Sequence, residues 1–377
     1  MRTTTARRRL LAAALLLFAA ACDGSDAALE PSDTLELTPE AGPEALPAPA
    51  GPAGLEAVHW ADGYVFANDP FAKSYTPGSG GAFNGSGGSI TISRPGATGR
   101  YVVRFSGLSS LLTSSNTVHV TSHGDGMTYC KPMSGSLAHD KVEVRCFQAA
   151  SGLPVAGTFS VLVLGRTAMR GYAFANQPTA ASYTAPSTGS HNPAGTTTIS
   201  RGGTGTYQVV FNSLGSRLAG QGGNVQVNSV ASGGAHCKLN GQWSVSTNIT
   251  VNVQCYSATG APVDAKFSVL VLLPAPRLGY TYAAQQTVAQ YTGDPYWSTN
   301  PDGGAVIITR ISQGVFDVEW PNALDDFIEY GNIQVTALGY DAGQCKISTT
   351  YRARAGVKCF AANGAAADLP FTVMLGS

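Results

Sequence analysis

Six histidines, His59, His119, His123, His139, His191 and His236, are the first residues to weigh for acid–base or metal chemistry. His119, His123 and Asp125 lie close enough in sequence to suggest a metal set. Their local pattern argues for something plainer. His119 sits between Val118 and Val120, so a strand with period two turns it to the face opposite the valines, toward solvent. His123-Gly124-Asp125-Gly126 reads as a turn. Asp325, Asp326 and Glu329 form the densest carboxylate group, a combination that could serve glycoside hydrolysis or calcium binding. Ahead of a strand, they read as a solvated loop. Neither a Gly-x-Ser-x-Gly elbow nor a Walker-type loop occurs. The chemistry-bearing residues therefore predict no enzyme, no cofactor and no metal site. A third group has a different character. Tyr296, Trp297 and Asn300 fall in one loop, and aromatic faces beside amides are what a sugar or protein site uses. The same side chains would also serve to plug the end of a domain.

The elements that must carry these residues recur three times. Gly63-Tyr64-Val65-Phe66-Ala67-Asn68 returns as Gly171-Tyr172-Ala173-Phe174-Ala175-Asn176 and as Gly279-Tyr280-Thr281-Tyr282-Ala283-Ala284. Tyr75, Tyr183 and Tyr291 then coincide, each followed by Thr. Strand-like runs end at Arg94, Arg201 and Arg310, which read as a polar contact that the fold reuses. Alternating strands follow at Tyr101–Phe105, Tyr207–Phe211 and Phe316–Trp320. Each copy closes on an apolar run, as in Phe159-Ser160-Val161-Leu162-Val163. About 108 residues suffice to bury a core, so the period marks domains and not solenoid units. Comparison between copies separates what the fold needs from positions that drift, where a private function can sit. The expected fold is all-β, with three tandem antiparallel β-sandwich domains of about seven strands each. The expected boundaries are 57–166, 167–274 and 275–377.

Six of the seven cysteines fall into pairs within the copies. Cys130–Cys146, Cys237–Cys255 and Cys345–Cys359 are expected disulfides, since no CxxC and no recurrent histidine favours metal ligation. Each would contribute about 3 kcal/mol in the chain-entropy view. Such bridges need an oxidising compartment. A Lys follows the first cysteine of every pair, at Lys131, Lys238 and Lys346, and is expected to lay its stem over the bridge with its head in water.

The N-terminus supports export independently. Arg2 and Arg7-Arg8-Arg9 precede an apolar run from Leu10 to Ala21, too short for an ordinary transmembrane helix. Phe18-Ala19-Ala20-Ala21-Cys22 resembles a bacterial lipobox, although Ala19 stands where Leu is usual. The resemblance implies a signal peptide over 1–21 and acylation of Cys22; the other reading is a simple secretory cut at Ala21. Residues 22–56 are rich in Ala, Pro and acidic residues, a composition for a disordered tether. The chain has 23 basic and 23 acidic residues, and no dense basic stripe points to nucleic acid.

The combination of Gly-Tyr-x-Phe/Tyr-Ala-Asn, Ser-Tyr-Thr, Ile-Ser-Arg, Cys-Lys and Val-x-Cys resembles a β-rich repeat of exported actinobacterial and myxobacterial proteins. It covers about residues 57 to 377. The resemblance implies a lipoprotein setting and adds no catalytic residue. The sequence thus leads to the expectation of an exported, lipid-anchored cell-envelope protein at the outer membrane or cell surface. Its partners would be the membrane, through the lipid, and a glycan or protein ligand. A spacer without a ligand is the alternative, and an envelope hydrolase using the Asp325 region a more distant one.

Overall fold

The computed structural model describes residues 61–78, 80–112, 115–323, 331–351 and 353–376. The signal segment, Cys22, the tether, His59 and the Asp325–Asp326–Glu329 group lie outside the described residues. The described chain is all-β, with nine, nine and eight strands in the successive repeats. Two of the strands have only two residues and three have three, and these account for the excess over about seven per copy.

Every repeat builds an inner and an outer set of strands in the same order, and the third repeat's outer set runs on into the first repeat's inner set through the parallel pair Ile347–His123. In the first, Gly63–Ala67 and Asn116–His123 both pair with Thr158–Gly165, which lies in the middle of an inner sheet. Ser74–Tyr75, Ile90–Ser93, Arg100–Phe105, Lys141–Gln148 and Thr128–Pro132 form an outer sheet. The register repeats as well: Gly63 faces Val163, Gly171 faces Val271 and Gly279 faces Leu375. Glycine is required at these three positions by close approach. A Cβ on Gly63 or Gly171 would lie 2.8 or 2.7 Å from the Leu108 or Leu214 side chain, and on Gly279 it would meet Trp320 at 2.8 Å. The two sheets of each repeat enclose a core of their own, exemplified by Val65, Val118 and Phe159 against Tyr101, Val103 and Val144. Each predicted disulfide is present and joins directly opposed residues of the outer sheet's last two strands.

A fourth core belongs to no single repeat. Tyr64, Leu162 and Leu164 of the first copy pack with Tyr172, Leu270 and Leu272 of the second and Tyr280 and Met374 of the third. This explains why the closing strands read as unbroken apolar runs. Phe159, Val161 and Val163 fill the repeat's own core, while Leu162 and Leu164 face the other copies. Such strands are buried on both faces, as the lack of alternation requires. Residues 56–377 accordingly form one compact unit.

Polar contacts run around this junction in a closed circuit. The Val120 N–H donates to Asn228 Oδ1 (2.5 Å), the Val227 N–H to Thr336 Oγ1 (3.0 Å) and the Val335 N–H to Thr121 Oγ1 (3.2 Å). Copy one thus meets copy two, two meets three, and three returns to one. The recurrent lysines repeat the circuit. Lys131 donates to Ala235 O (2.5 Å), Lys238 to Asp341 Oδ1 (2.7 Å), and Lys346 to Gly126 O (2.6 Å) and Thr128 Oγ1 (3.0 Å). Their heads are not in water as expected: each lysine is 2% exposed and ties its repeat to the next. His119 is a second correction. It is 1% exposed, because the face opposite Val118 and Val120 meets the other repeats and not solvent. His123 ends a strand and does not open a turn; its Nε2 lies 3.1 Å from Ser160 Oγ.

Candidate functional site

The loops that follow the recurrent Tyr-Thr lie on the rim of this assembly, and their shared frame comes from one asparagine. Asn84, Asn192 and Asn300 stand at matching places in the three copies. Asn300 donates to Gly303 O (2.6 Å) and Pro321 O (2.7 Å); Asn84 and Asn192 make the corresponding pairs of bonds. Asn300, a candidate ligand residue, is therefore committed to holding its loop. The spacing of 84, 192 and 300 carried that signal in the sequence.

Trp297 differs. It replaces Gly81 and Gly189, which have φ of 78° and 77°. The indole is half-buried against the core of the second repeat. It meets Trp243 edge-on with centroids 5.1 Å apart, and Tyr296 in the same manner at 4.7 Å. It lies so close over Gly222 that a Cβ there would be 1.9 Å from the ring. The Gly222 N–H donates to Tyr296 O (2.6 Å), and the Trp243 indole N–H donates to Gly222 O (2.8 Å). The loop of the third copy is in this way fastened to the second, and Tyr296 keeps its ring exposed.

Beside the fastened indole opens a groove of about 410 Å³. Tyr282, Tyr291 and Trp297 give it aromatic surface, and Gln242, Gln285 and Asp294 give it polar groups. Gln242 comes from the second repeat and the rest from the third. Most of the sequence drift in this part of the third copy collects here. Tyr282 replaces Phe66 and Phe174, Ala284 replaces Asn68 and Asn176, and Asp294 stands where Gly78 and Pro186 do. Tyr291 is common to all copies and has a fold role, since its hydroxyl accepts the Gln285 N–H (3.2 Å). Burial pushes the Tyr282 and Tyr291 hydroxyls above the usual tyrosine range, so both stay protonated near neutral pH. The groove can stack a ring face, accept or donate through amides and place one carboxylate. Among the described residues of its lining, Asp294 is the carboxylate.

The other candidates do not assemble. Among the described residues no group of three or more His, Cys, Asp or Glu side chains could hold a metal. Asp125 pairs with Lys358, and burial drives His119 and His123 down to about 3, so both are neutral. A cavity of about 60 Å³ lies where the three repeats meet, lined by matching residues such as Thr121, Asn228 and Thr336. That is room for a few waters and too little for an organic ligand. The recurrent arginines form clamps inside their own repeats. Arg201 grips Asp264 (3.0 and 2.9 Å) and Arg310 grips Asp368 (3.0 and 2.8 Å). Arg94 has no such partner, because Ala156 follows Val155 where Asp264 follows Val263 and Asp368 follows Ala367. Comparison of the chain with protein-family models, curated proteins and solved structures finds no match.

Proposed function

We propose that this protein is a lipid-anchored component of the bacterial cell envelope that binds a glycan through the groove between its second and third repeats. The observation that carries the reading is the coincidence of drift and concavity. Where the third copy departs from its sisters, at Tyr282, Ala284, Asp294 and Trp297, the departures converge on one aromatic and amide-lined groove. A sugar ring offers C–H faces to Trp297 and hydroxyls to Gln242, Gln285 and Asp294, a pairing that suits such a surface. Three disulfides fit an oxidising, exported setting. Acylation at Cys22 and the acidic tether of residues 22–56 supply the anchor in this reading, which takes the three copies as sandwich modules joined through the shared core. No catalytic step is part of it. The spacer alternative loses its main motive, because copies closed into a circuit add little length.

A glycan array probed with the exported chain tests the reading. Binding should fall at least tenfold in Trp297→Ala. Because Trp297 also fastens two repeats, and the Asp294 carboxylate holds the same loop by accepting the Tyr296 N–H (2.8 Å), Gln285→Ala and Gln242→Ala serve as variants that leave the aromatic packing intact, and each should weaken the same signals. Binding that is indifferent to all three substitutions would remove the groove from consideration. An acyl-free Cys22 in the mature protein would remove the anchor.

A further inference from the structure

A second concavity lies on the opposite side of the second repeat's sequence, where the connector from the first repeat passes it. Arg166 and Thr167 of the connector, His191 with Pro193, and Arg217 line a shallow space of about 430 Å³. Arg166 Nε donates to His191 Nδ1 (3.1 Å), which leaves His191 Nε2 protonated and donating to Thr167 O (2.9 Å). Arg217 Nη2 donates to Pro193 O (3.0 Å). A guanidinium has five N–H donors, so both arginines keep most of theirs for another acceptor. Among the described residues no carboxylate pairs with Arg166 or Arg217. Asp62 is engaged by Arg170 (3.6 Å) and by the Gly165 N–H (2.7 Å).

The three side chains are private to this place. Leu111 stands in the first repeat where Arg217 does, counted from Leu108 and Leu214. Phe83 and Thr299 stand where His191 does, and Pro274 where Arg166 does. Residues far apart in the chain have drifted toward cationic or hydrogen-bonding types and meet in one concavity without acidic compensation. A structural ion pair would have brought a carboxylate with it.

We infer that this concavity binds a phosphate-class oxyanion, free or as a monoester, held by the Arg166 and Arg217 guanidinium groups. Two full positive charges match a dianion better than a carboxylate, and planar guanidinium forks suit phosphate oxygens. His191 reports occupancy. It is held below the usual histidine range by burial and by Arg166, Arg170 and Arg217, while its bond to Thr167 works the other way; the Tyr172 ring lies 5.7 Å away. A bound dianion offsets the arginines and moves His191 upward.

The test is a titration of the whole exported chain with sodium phosphate and, separately, glucose 6-phosphate. Calorimetry and the His191 imidazole resonances are followed, with sodium chloride at matched ionic strength as the control. Saturable binding with an upward shift of the His191 titration is expected, weakened at least tenfold in Arg166→Ala/Arg217→Ala. Both arginines are exposed, so the variant should fold; Arg217→Gln alone should still weaken binding severalfold. Preference for the ester would extend the site to an organic phosphate, and preference for the free ion would restrict it to phosphate. Chloride producing the same His191 shift, or the double variant binding unchanged, would overturn the inference. Trp297→Ala should leave phosphate binding intact, which separates this site from the glycan groove.

Discussion

Tyr64, Tyr172 and Tyr280 sit at one position in three copies and pack into one shared core, whereas on the rim Gly81 and Gly189 share a left-handed backbone and Trp297, at the same position, packs against another repeat. The contrast follows from what each region must satisfy. At the junction Tyr64, Tyr172 and Tyr280 pack in one cluster with their equivalents, so a change in one copy disturbs two neighbours. On the rim each loop faces solvent or a single neighbour, and a Gly can become a Trp if one partner, here Gly222, makes room. Triplication thus supplies a rigid centre and three independent edges. Both the groove and the oxyanion concavity lie at edges, at seams where one copy or its connector meets the next.

The harshest way to break the comparison is to attack the centre. Leu270→Ala should cost about 2–5 kcal/mol, the range for a fully buried leucine. Because Leu270 belongs to the core common to all copies, its loss should lower the denaturation midpoint of the whole 56–377 unit in one transition. Successive transitions in urea, with only the second repeat affected, would mean that the copies are independent beads.

The lysine circuit gives a milder test with a definite sign. Burial lowers Lys131 to about 7 and Lys346 to about 8, while an unfolded lysine titrates near 10.4. Between those values the unfolded chain binds more protons than the folded one, so stability rises with pH. Each lysine should add at most about 1.4 kcal/mol per pH unit above its folded value, Lys131 from roughly pH 7 and Lys346 from roughly pH 8. Above that range the trend reverses. Tyr64, Tyr172 and Tyr280, pushed up to about 12 by burial, favour unfolding once free tyrosine ionises near 10. Lys131→Met should flatten the rise. A stability that is level with pH in the wild type would place the lysine heads in water after all.

How much of this was readable beforehand depends on the range of the interaction. Strands, repeat boundaries and cysteine pairs are set by residues close in sequence, and the Cys237–Cys255 bridge needs only neighbouring strands. The circuit depends on contacts between copies, which no local period encodes. One trace of it was visible: Leu162 beside Val161 and Val163 breaks alternation, and only burial on both faces tolerates that. His119 was misplaced for the same reason, since alternation names two faces without saying what lies beyond each. The groove was half legible. Trp297 stood out as drift, but Gln242 lies more than fifty residues earlier and joins it only through docking of the repeats. The asparagine frame at 84, 192 and 300 was fully legible, and it removes Asn300 from the ligand candidates.

The arginine clamps sharpen the comparison at smaller scale, because one copy lacks what two possess. Arg201 above all holds the Asp264 carboxyl down to about 2, with further help from the Gly205 N–H and the Tyr207 hydroxyl. The folded value lies below the unfolded one, so the stabilisation is complete above about pH 4 and fades as pH falls toward 2. In the first repeat the backbone is already shaped for the same clamp. Gly99 and Gly205 share a φ of 69°, and the Arg94 N–H bonds Lys73 O as the Arg201 N–H bonds Ala181 O. Asp264→Ala should lower Tm by about 2–4 °C at pH 7. Ala156→Asp should raise it by a smaller amount, with both effects shrinking below pH 4.

The smallest effect concerns a place where the centre itself departs from symmetry. Gln226 and Gln334 accept from the hydroxyls of Thr336 and Thr121 (both 2.8 Å) and donate to Asn224 and Asn332. His119 occupies the matching position with neither ring nitrogen bonded among the described residues. Burying an imidazole without partners forfeits hydrogen bonds that water would have supplied. Its neighbour Asn228 turns its amide to its own strand, donating to Val227 O (3.1 Å). A glutamine at 119 can meet Asn228 as the other two glutamines meet their threonines. His119→Gln should therefore stabilise the protein by about 1 kcal/mol, measured by urea denaturation at pH 7. A loss of stability instead would mean that the third seam is built around the imidazole, and that the centre tolerates private solutions as the rim does.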